Sequence, residues 1–205
     1  MKIAVLGPGN VGRALGALAA EKGHDVVLGV RDATSDSAKA AAGAVPSATL
    51  ASIGDAAVQT DLALLTVPWA AAEATVRTLG GGVVVDCTNP VAAGLKHAVA
   101  DRSGAERLAA ANARVAIVKA FNVYGVENLG DPDFGSARGM LPVAGDDDDA
   151  KRRVLDLAAS FGWEPLDVGP LSMALHLEHM ALLWIHMVRA QGHDPRFVWT
   201  KTTAG

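Results

Sequence analysis

KIAVLGPGNVGRALG (residues 2–16) decides the fold of this chain. Residues 2–6 form an apolar run of strand length, and the spacing Gly7-x-Gly9-x-x-Gly12 follows directly. A helical pattern of apolar residues begins at Val11. A strand, a glycine loop and a helix in this order predict the first unit of an α/β fold.

The three glycines have separate roles in such a loop. Gly7 makes the tight turn, Gly9 lets the backbone approach a pyrophosphate, and Gly12 lets the helix pack closely on the strand. The helix N-terminus adds amide donors and a partial positive charge. The loop therefore predicts a dinucleotide site, and the alternative is a glycine-rich turn that binds no ligand. Its residues are Gly7, Pro8, Gly9, Asn10, Val11 and Gly12.

The end of the second apolar run, residues 25–30, bears on which dinucleotide binds. An acidic residue at this position usually holds the ribose hydroxyls of NAD, whereas an arginine accommodates the 2′-phosphate of NADP. This run ends on Val30, and Arg31 and Asp32 follow. A guanidinium forms charge-assisted bonds to phosphate. The pattern favours NADP, and NAD stays open if Asp32 turns inward.

Apolar runs of strand length alternate with alanine-rich helical segments over most of the chain. Strands without polar alternation are typical of a sheet covered on both faces, and strand–helix alternation predicts right-handed parallel crossovers. We therefore expect an α/β, Rossmann-like, doubly wound and mainly parallel sheet. The predicted strands are 2–6, 25–30, 62–67, 83–87, 114–120 and 140–145, and the helical segments are 11–22, 69–79 and 149–161. A surface loop is expected at 131–138.

The last forty residues have a different character. Residues 171–190 predict a long helix that is apolar around most of its circumference, and such a helix needs cover on nearly every side. Because the chain that follows is short, a second subunit is the expected cover. We expect a dinucleotide-binding domain at 1–168, a helical extension at 169–205, and a homodimer built on helix 171–190.

The amino-acid composition restricts the kinds of partner and the cellular compartment that we expect for this chain. Half of the 205 residues are apolar, a fifth are charged and the net charge is -4, which gives no electrostatic footprint for nucleic acid. A single cysteine, Cys87, excludes an intramolecular disulfide and fits a reducing compartment. The first apolar run is too short for a signal peptide, and no uninterrupted apolar run reaches membrane-spanning length. We expect a cytoplasmic protein without membrane or nucleic-acid partners.

Several motifs occur in an order that resembles one known family. They are GPGNVGRALG (7–16), GHDVVLGVRD (23–32), LLTVPW (64–69), DCTNP (86–90), VKAFN (118–122), VAGDDDDAK (143–151) and DVGPLS with LEHMALLWI (167–172 and 177–185). Together they resemble the NADPH-dependent reductases of the deazaflavin coenzyme F-420, to which the cytoplasmic domain of the STEAP metalloreductases is related. The resemblance covers nearly the whole chain. It implies a Rossmann domain with a C-terminal helical extension, a dimer, and hydride transfer between NADPH and a second cofactor.

The resemblance also implies roles for individual positions. Residues 7–12 would hold the pyrophosphate, and Val30 and Arg31 the 2′-phosphate end. The turn of Thr66, Val67, Pro68 and Trp69 would line the adenosine or ribose side. The residues implied to lie near the nicotinamide are Asn89, Pro90, Ala120, Phe121 and Asn122.

The chain departs from the family pattern at two positions. Val30 replaces a serine or threonine that commonly precedes the arginine, so one hydroxyl is missing from the phosphate end. Leu175 replaces an arginine of the final helix. The second departure bears on the identity of the second substrate.

Few residues suggest proton or metal chemistry. Lys119 and Asn122 are the candidate catalytic residues, and Lys119 is interpreted equally well as a surface lysine. His176, His179 and His186 share one helical face and are interpreted as a polar dimer face or pocket wall rather than a metal site, with Glu178 on another face. Residues 146–149, four aspartates, precede a helical pattern and are interpreted as a cap. Cys87 is interpreted as a small core residue, and no metal is expected.

The function predicted is NADP-dependent hydride transfer to a planar redox acceptor, first coenzyme F-420. One alternative is a flavin or ferric or cupric chelate reductase. Another is a reductase of small imines or keto acids, although the forty residues after the last strand pattern are few for the large helical domain of those enzymes. The last is a non-catalytic NADP(H)-binding redox sensor. The physiological direction stays open.

Overall fold

We analysed a computed structural model of the chain, which describes residues 1–99, 101–135 and 138–203. The surface loop predicted at 131–138 therefore lies partly outside the described residues. The strands are β1 (Lys2–Leu6), β2 (Asp25–Val30), β3 (Thr49–Ser52), β4 (Leu62–Leu65), β5 (Gly82–Asp86), β6 (Val91–Ala92), β7 (Lys96–His97), β8 (Val115–Lys119), β9 (Met140–Gly145) and β10 (Glu164–Asp167). The helices are α1 (Asn10–Glu21), α2 (Asp36–Ala44), α3 (Ile53–Val58), α4 (Trp69–Arg77), α5 (Gly104–Ala111), α6 (Val126–Leu129), α7 (Asp148–Ser160), a 3-10 turn (Leu171–Met173) and α8 (Ala174–Arg189).

Eight strands form one sheet in the order β3-β2-β1-β4-β5-β8-β9-β10. The strands from β3 to β8 are parallel, with the order reversal between β1 and β4 that defines the doubly wound fold. The predicted α/β, Rossmann-like and mainly parallel sheet is confirmed. A separate two-strand hairpin joins β6 to β7.

The far edge of the sheet reverses direction. Strand β9 runs antiparallel to β8, and β10 is parallel to β9. A connection between two neighbouring parallel strands needs a long crossover segment, usually an α-helix. The segment between β8 and β9 contains only the four-residue helix α6 among its described residues, and it returns the chain on the same edge.

The sheet is covered on both faces by two clusters of buried apolar side chains. The predicted strands and helices all form, with ends that agree within three residues. The prediction missed α2, β3, α3, α5, α6, β6, β7 and β10, because these elements are short and rich in alanine, serine or polar residues. Such segments carry little hydrophobic periodicity.

Helix α8 packs one face on its own chain. Its buried side chains include Leu177, Ala181 and Trp184. The C-terminal tail returns over the same region, where the ring of Phe197 stacks on Trp184 at 6.0 Å. Other parts of the same chain thus cover much of the apolar surface of α8 that we expected a second subunit to cover. That expectation considered only the residues that follow the helix. The residues left exposed along α8 and its preceding turn are Ser172, His176, His179, Leu183, His186, Arg189 and Ala190.

Within the described residues, Leu171–Arg189 is the segment long and apolar enough to cross a membrane by length and composition alone. A helix packed on a protein core satisfies the same criterion.

Candidate dinucleotide site

The glycine loop is held at the carboxyl ends of β1 and β4. Gly7 has a φ of 120°, a conformation that side chains rarely adopt. The hydroxyl of Thr66 donates to the carbonyl oxygens of Leu6 and Gly7 at 3.1 and 3.0 Å. These bonds fix the loop against the end of β4, so a rigid turn leads into α1.

The loop fits a pyrophosphate. A Cβ at Gly12 would overlap the Gly7 carbonyl oxygen and come within 2.8 Å of the Thr66 hydroxyl, so Gly12 is required by packing. A Cβ at Gly9 would meet no protein atom within 4 Å. Gly9 is also the N-cap of α1, where no side chain caps the first amides. Backbone amides beside open space are what a bound phosphate needs.

A cavity of about 540 Å³ adjoins this loop, and we call it the adenosine groove. Its wall contains most of the residues predicted for the adenosine side of the dinucleotide. The lining residues are Gly7, Pro8, Gly9, Gly29, Val30, Arg31, Asp32, Ser35, Ser37, Ile53, Thr66, Val67, Pro68, Ala71 and Thr75. Ser35 was missed, although a serine directly before an alanine-rich helical segment is a recognisable N-cap signal, and it caps α2 here.

Two side chains at the end of β2 bear on whether the adenosine groove binds NADP or NAD. Arg31 is exposed on the wall. Asp32 directs one carboxylate oxygen to the backbone N–H and hydroxyl of Thr34, at 2.8 and 2.7 Å. These bonds hold the pKa of Asp32 below its ordinary value. One carboxylate oxygen of Asp32 is therefore engaged in a local turn, and both Arg31 and Asp32 line the groove.

A second cavity, of about 260 Å³, lies on the other side of the loop, and we call it the inner cavity. Asn10 and Val11 of α1 form one wall, and Trp184 of α8 forms another. Its lining residues are Asn10, Val11, Asn89, Asn122, Val123, Tyr124, Gly125, Val126, Glu127, Ala181, Trp184, Ile185 and Arg189. The contribution of α8 and of residues 123–127 was missed, because nothing local in the sequence indicates which side of the sheet α8 covers.

Asn89 and Asn122 form a reciprocal pair in the inner cavity. Asn122 donates to the side-chain oxygen of Asn89 at 2.9 Å, and Asn89 donates to the Asn122 carbonyl at 2.8 Å. Asn122 also donates to the Leu177 carbonyl at 3.1 Å. Its own amide oxygen is buried without a protein partner. A buried acceptor left unpaired is costly and is typical of a site that a ligand completes.

Phe121 directs Asn122 into this position. Its φ of 57° is unusual for a bulky residue. The ring packs into the core, 5.8 Å from that of Phe161. Strain of this kind costs about 1–3 kcal/mol and persists where the surroundings enforce it, often at functional sites.

Other predicted positions lie away from both cavities. Trp69 packs over Gly104 at the start of α5 and borders a surface cleft with Arg77 and Arg107, so its predicted place on the adenosine side is corrected. Pro90 and Ala120 are buried and line neither cavity. Sequence order placed these residues at the correct strand ends, but side-chain direction is decided by packing.

Lys119 is neither a surface lysine nor a cavity residue. It is fully buried, and its ammonium lies 2.9 Å from Asp86, 2.9 Å from Glu178 and 2.6 Å from the Thr88 carbonyl. Burial lowers the pKa of Lys119, but the two carboxylates outweigh burial and leave it raised. With its donors engaged, Lys119 is not placed to contact a substrate.

The remaining candidate residues take part in ring stacking, helix capping or the core. His179 stacks on His97 at 5.3 Å, and the described residues contain no group of three His, Cys, Asp or Glu side chains suited to a metal ion. Asp147 caps α7 by accepting from the Ala150 amide at 2.8 Å, as predicted for the aspartate run. Burial raises the pKa of the Cys87 thiol far above its ordinary value, in keeping with a core residue.

The fold and the two cavities define a dinucleotide-binding protein of the Rossmann type. The family model described as NADP oxidoreductase coenzyme F420-dependent matches residues 2–90. The resemblance to this family that the ordered motifs predicted is confirmed over this part of the chain.

Two solved structures and one curated protein are similar to this chain. The crystal structure of a candidate F420-dependent NADP reductase from an Arthrobacter species is 26% identical with a TM-score of 0.85, and the match covers 99% of this chain and 100% of that one. The hypothetical protein SMa0349 from Sinorhizobium meliloti is 26% identical with a TM-score of 0.75, over 85% of this chain and 88% of that one. Metalloreductase STEAP3 of Rattus norvegicus is 30% identical over 186 residues, which are 88% of this chain. The chain spans 36% of the length of that relative.

Proposed function

We propose that this chain oxidises NADPH and passes a hydride to a planar redox acceptor, first the deazaflavin coenzyme F-420. The observation that carries the NADP preference is the end of β2, where Arg31 faces the adenosine groove while Asp32 is bonded to Thr34. A guanidinium recognises the 2′-phosphate that distinguishes NADP from NAD.

The chain's own residues would bind and orient the dinucleotide. The amides at the start of α1 would hold the pyrophosphate, and Arg31 would hold the 2′-phosphate. The unpaired amide oxygen of Asn122 would accept from the carboxamide N–H of the nicotinamide. When bound, NADPH supplies a hydride, which is two electrons and a proton, and one further proton from solvent completes a two-electron reduction of the acceptor.

The identity of the electron acceptor is the more specific part of the proposed function. Support for F-420 comes from the family model and from the Arthrobacter structure, which matches this chain along its whole length. The inner cavity lies beside the glycine loop and is walled by aromatic and aliphatic side chains such as Trp184 and Ile185. Flat rings held face to face at close range need orientation more than acid–base groups.

The test is NADPH oxidation by the purified protein with F-420, FMN and ferric citrate offered separately, and with NADH in place of NADPH as the control. We expect turnover with F-420 and a preference of at least about tenfold for NADPH, since one charge-assisted contact contributes about 1.5–3 kcal/mol. Equal use of NADH would contradict the role of Arg31. Failure with every acceptor despite NADPH binding would favour a redox sensor.

The likeness to STEAP3 supports a second candidate, the reduction of flavin or of chelated ferric or cupric ions. Turnover with FMN or ferric citrate but not with F-420 would select it.

We also propose a homodimer formed through the exposed face of α8, and a cytoplasmic location. Leu183 lies half exposed in the middle of that face, at 50% of its accessible surface. The single, buried cysteine supports a reducing compartment.

A further inference from the structure

A chain of buried charges connects the Rossmann core to α8. Lys119 at the end of β8 lies between the carboxylates of Asp86 and Glu178, at 2.9 Å from each. All three side chains are fully buried. Buried charges are tolerated only when paired and hydrogen-bonded, so each member depends on the others.

Glu178 extends this chain to a second element. One of its oxygens accepts from the Gly104 amide at 2.9 Å, and the other accepts from the Ala105 amide at 3.3 Å, both at the start of α5. The imidazole of His97 on β7 lies 2.6 Å from the same carboxylate and is itself 9% exposed. We call Asp86, Lys119, Glu178 and His97 the buried network.

His97 has a partner at each ring nitrogen. Nε2 lies 2.6 Å from a Glu178 oxygen. Nδ1 lies 2.7 Å from the Val99 carbonyl oxygen, and the Val99 amide lies 3.2 Å from the same nitrogen. The carboxylate of Glu178 is thus held by Lys119, by two amides of α5 and by His97.

The charged and titratable groups that face His97 come mainly from α8. They are Glu178 and the stacked ring of His179. Lys119 and then Asp86 lie behind Glu178.

The network lies directly behind the Asn89–Asn122 pair. Asp86 begins the short segment that leads to Asn89, and Lys119 begins the one that leads to Asn122. Glu178 follows Leu177, whose carbonyl accepts from Asn122. No member of the network lines the adenosine groove. Displacement of the network would therefore move the inner cavity and leave the adenosine groove unchanged.

We propose that the buried network is a positioning device for the inner cavity. Its effect on turnover rests on the proposed function, whereas its effect on the surroundings of bound NADPH needs no acceptor. The network fixes orientation in the inner cavity without any member touching the substrate.

Kinetics test the positioning role. Glu178→Gln is expected to lower kcat with F-420 at least about tenfold, because small misplacements near the reacting atoms are costly. KM for NADPH is expected to stay within about twofold, and His186→Gln is the control on the exposed face of α8. A raised KM with unchanged kcat, or no change in either, would overturn the role.

His97→Ala is a second variant in case Glu178→Gln does not fold, because it removes one partner of the Glu178 carboxylate. It is expected to lower kcat with F-420 and to leave KM for NADPH within about twofold. An unchanged kcat in His97→Ala would overturn the positioning role. If no acceptor is reduced, the fluorescence of bound NADPH reports the nicotinamide environment. It is expected to differ between wild type and Glu178→Gln at equal affinity, and identical fluorescence would overturn the positioning role.

Discussion

Gly9 and Gly12 belong to one loop but are required for different physical reasons. Gly12 has no room for a side chain, because its surroundings include the Gly7 carbonyl and the Thr66 hydroxyl. Gly9 has room on all sides within the protein. Packing within the protein therefore does not require a glycine at position 9, whereas the proposed pyrophosphate site does.

The variants Gly9→Ala and Gly12→Ala separate these reasons. Gly9→Ala is expected to fold and to cost at most about 1 kcal/mol, since alanine is a poorer N-cap than glycine, while the dissociation constant for NADPH rises at least about tenfold. Gly12→Ala is expected to lose about 3 kcal/mol or more of unfolding free energy, because the overlap is with backbone. Thermal unfolding and NADPH titration measure both. Normal NADPH binding by Gly9→Ala would contradict the pyrophosphate site.

In the proposed function, Arg31 is the residue that selects between NADP and NAD. Arg31→Ala is expected to raise KM for NADPH by about 10–100-fold, in line with the loss of about 1.5–3 kcal/mol of charge-assisted bonding. KM for NADH is expected to stay unchanged. Lys39→Ala, which removes an exposed charge from nearby α2, is the matched control. A parallel rise in KM for both cofactors would place Arg31 outside the 2′-phosphate site.

At the scale of elements, Glu178 joins α8 to the start of α5. Burial raises the pKa of Glu178, but Lys119 and the Gly104 amide outweigh burial and lower it below the ordinary value. A carboxyl group whose pKa is lowered in the folded state stabilises the protein above its unfolded pKa. This contribution is lost as pH falls through the folded-state value.

Denaturant unfolding of wild type and Glu178→Gln at several pH values measures this contribution. At pH 7 the variant is expected to be less stable by about 3–5 kcal/mol, because it leaves Lys119 with one carboxylate in a buried site. The difference is expected to shrink as the pH is lowered beneath about 4, the ordinary range of glutamate. A difference that does not vary with pH would mean that packing, and not the carboxylate charge, accounts for the loss.

At the scale of the molecule, the exposed face of α8 is the surface that the proposed dimer uses. The residues left exposed recur at helical spacing along one side, with Leu183 at the centre. Leu183→Glu is expected to convert the dimer into a monomer, because a charge in an apolar interface is left unpaired. Val58→Glu, at a residue 64% exposed on α3, is the control. Sedimentation equilibrium measures the mass, and a wild-type monomer would refute the proposed dimer.

The sequence by itself determined the first βα unit, the alternation of strands and helices, and the place of the dinucleotide loop. These features depend on contacts close in sequence: the glycine spacing, the apolar periodicity and the residues at strand ends. Gly7, Arg31 and Thr66 line one groove because a parallel sheet brings the carboxyl ends of its strands to one edge.

The tertiary structure alone decided the surroundings of Lys119, Trp69 and Glu178. Lys119 reaches Asp86 and Glu178, which lie far from it in sequence, and no local pattern distinguishes a buried ion pair from a surface lysine. The reversal of β9 and the side of the sheet that α8 covers have the same origin. Long-range packing chooses among directions that local periodicity leaves equivalent, so the inner cavity and its network follow from the folded chain as a whole.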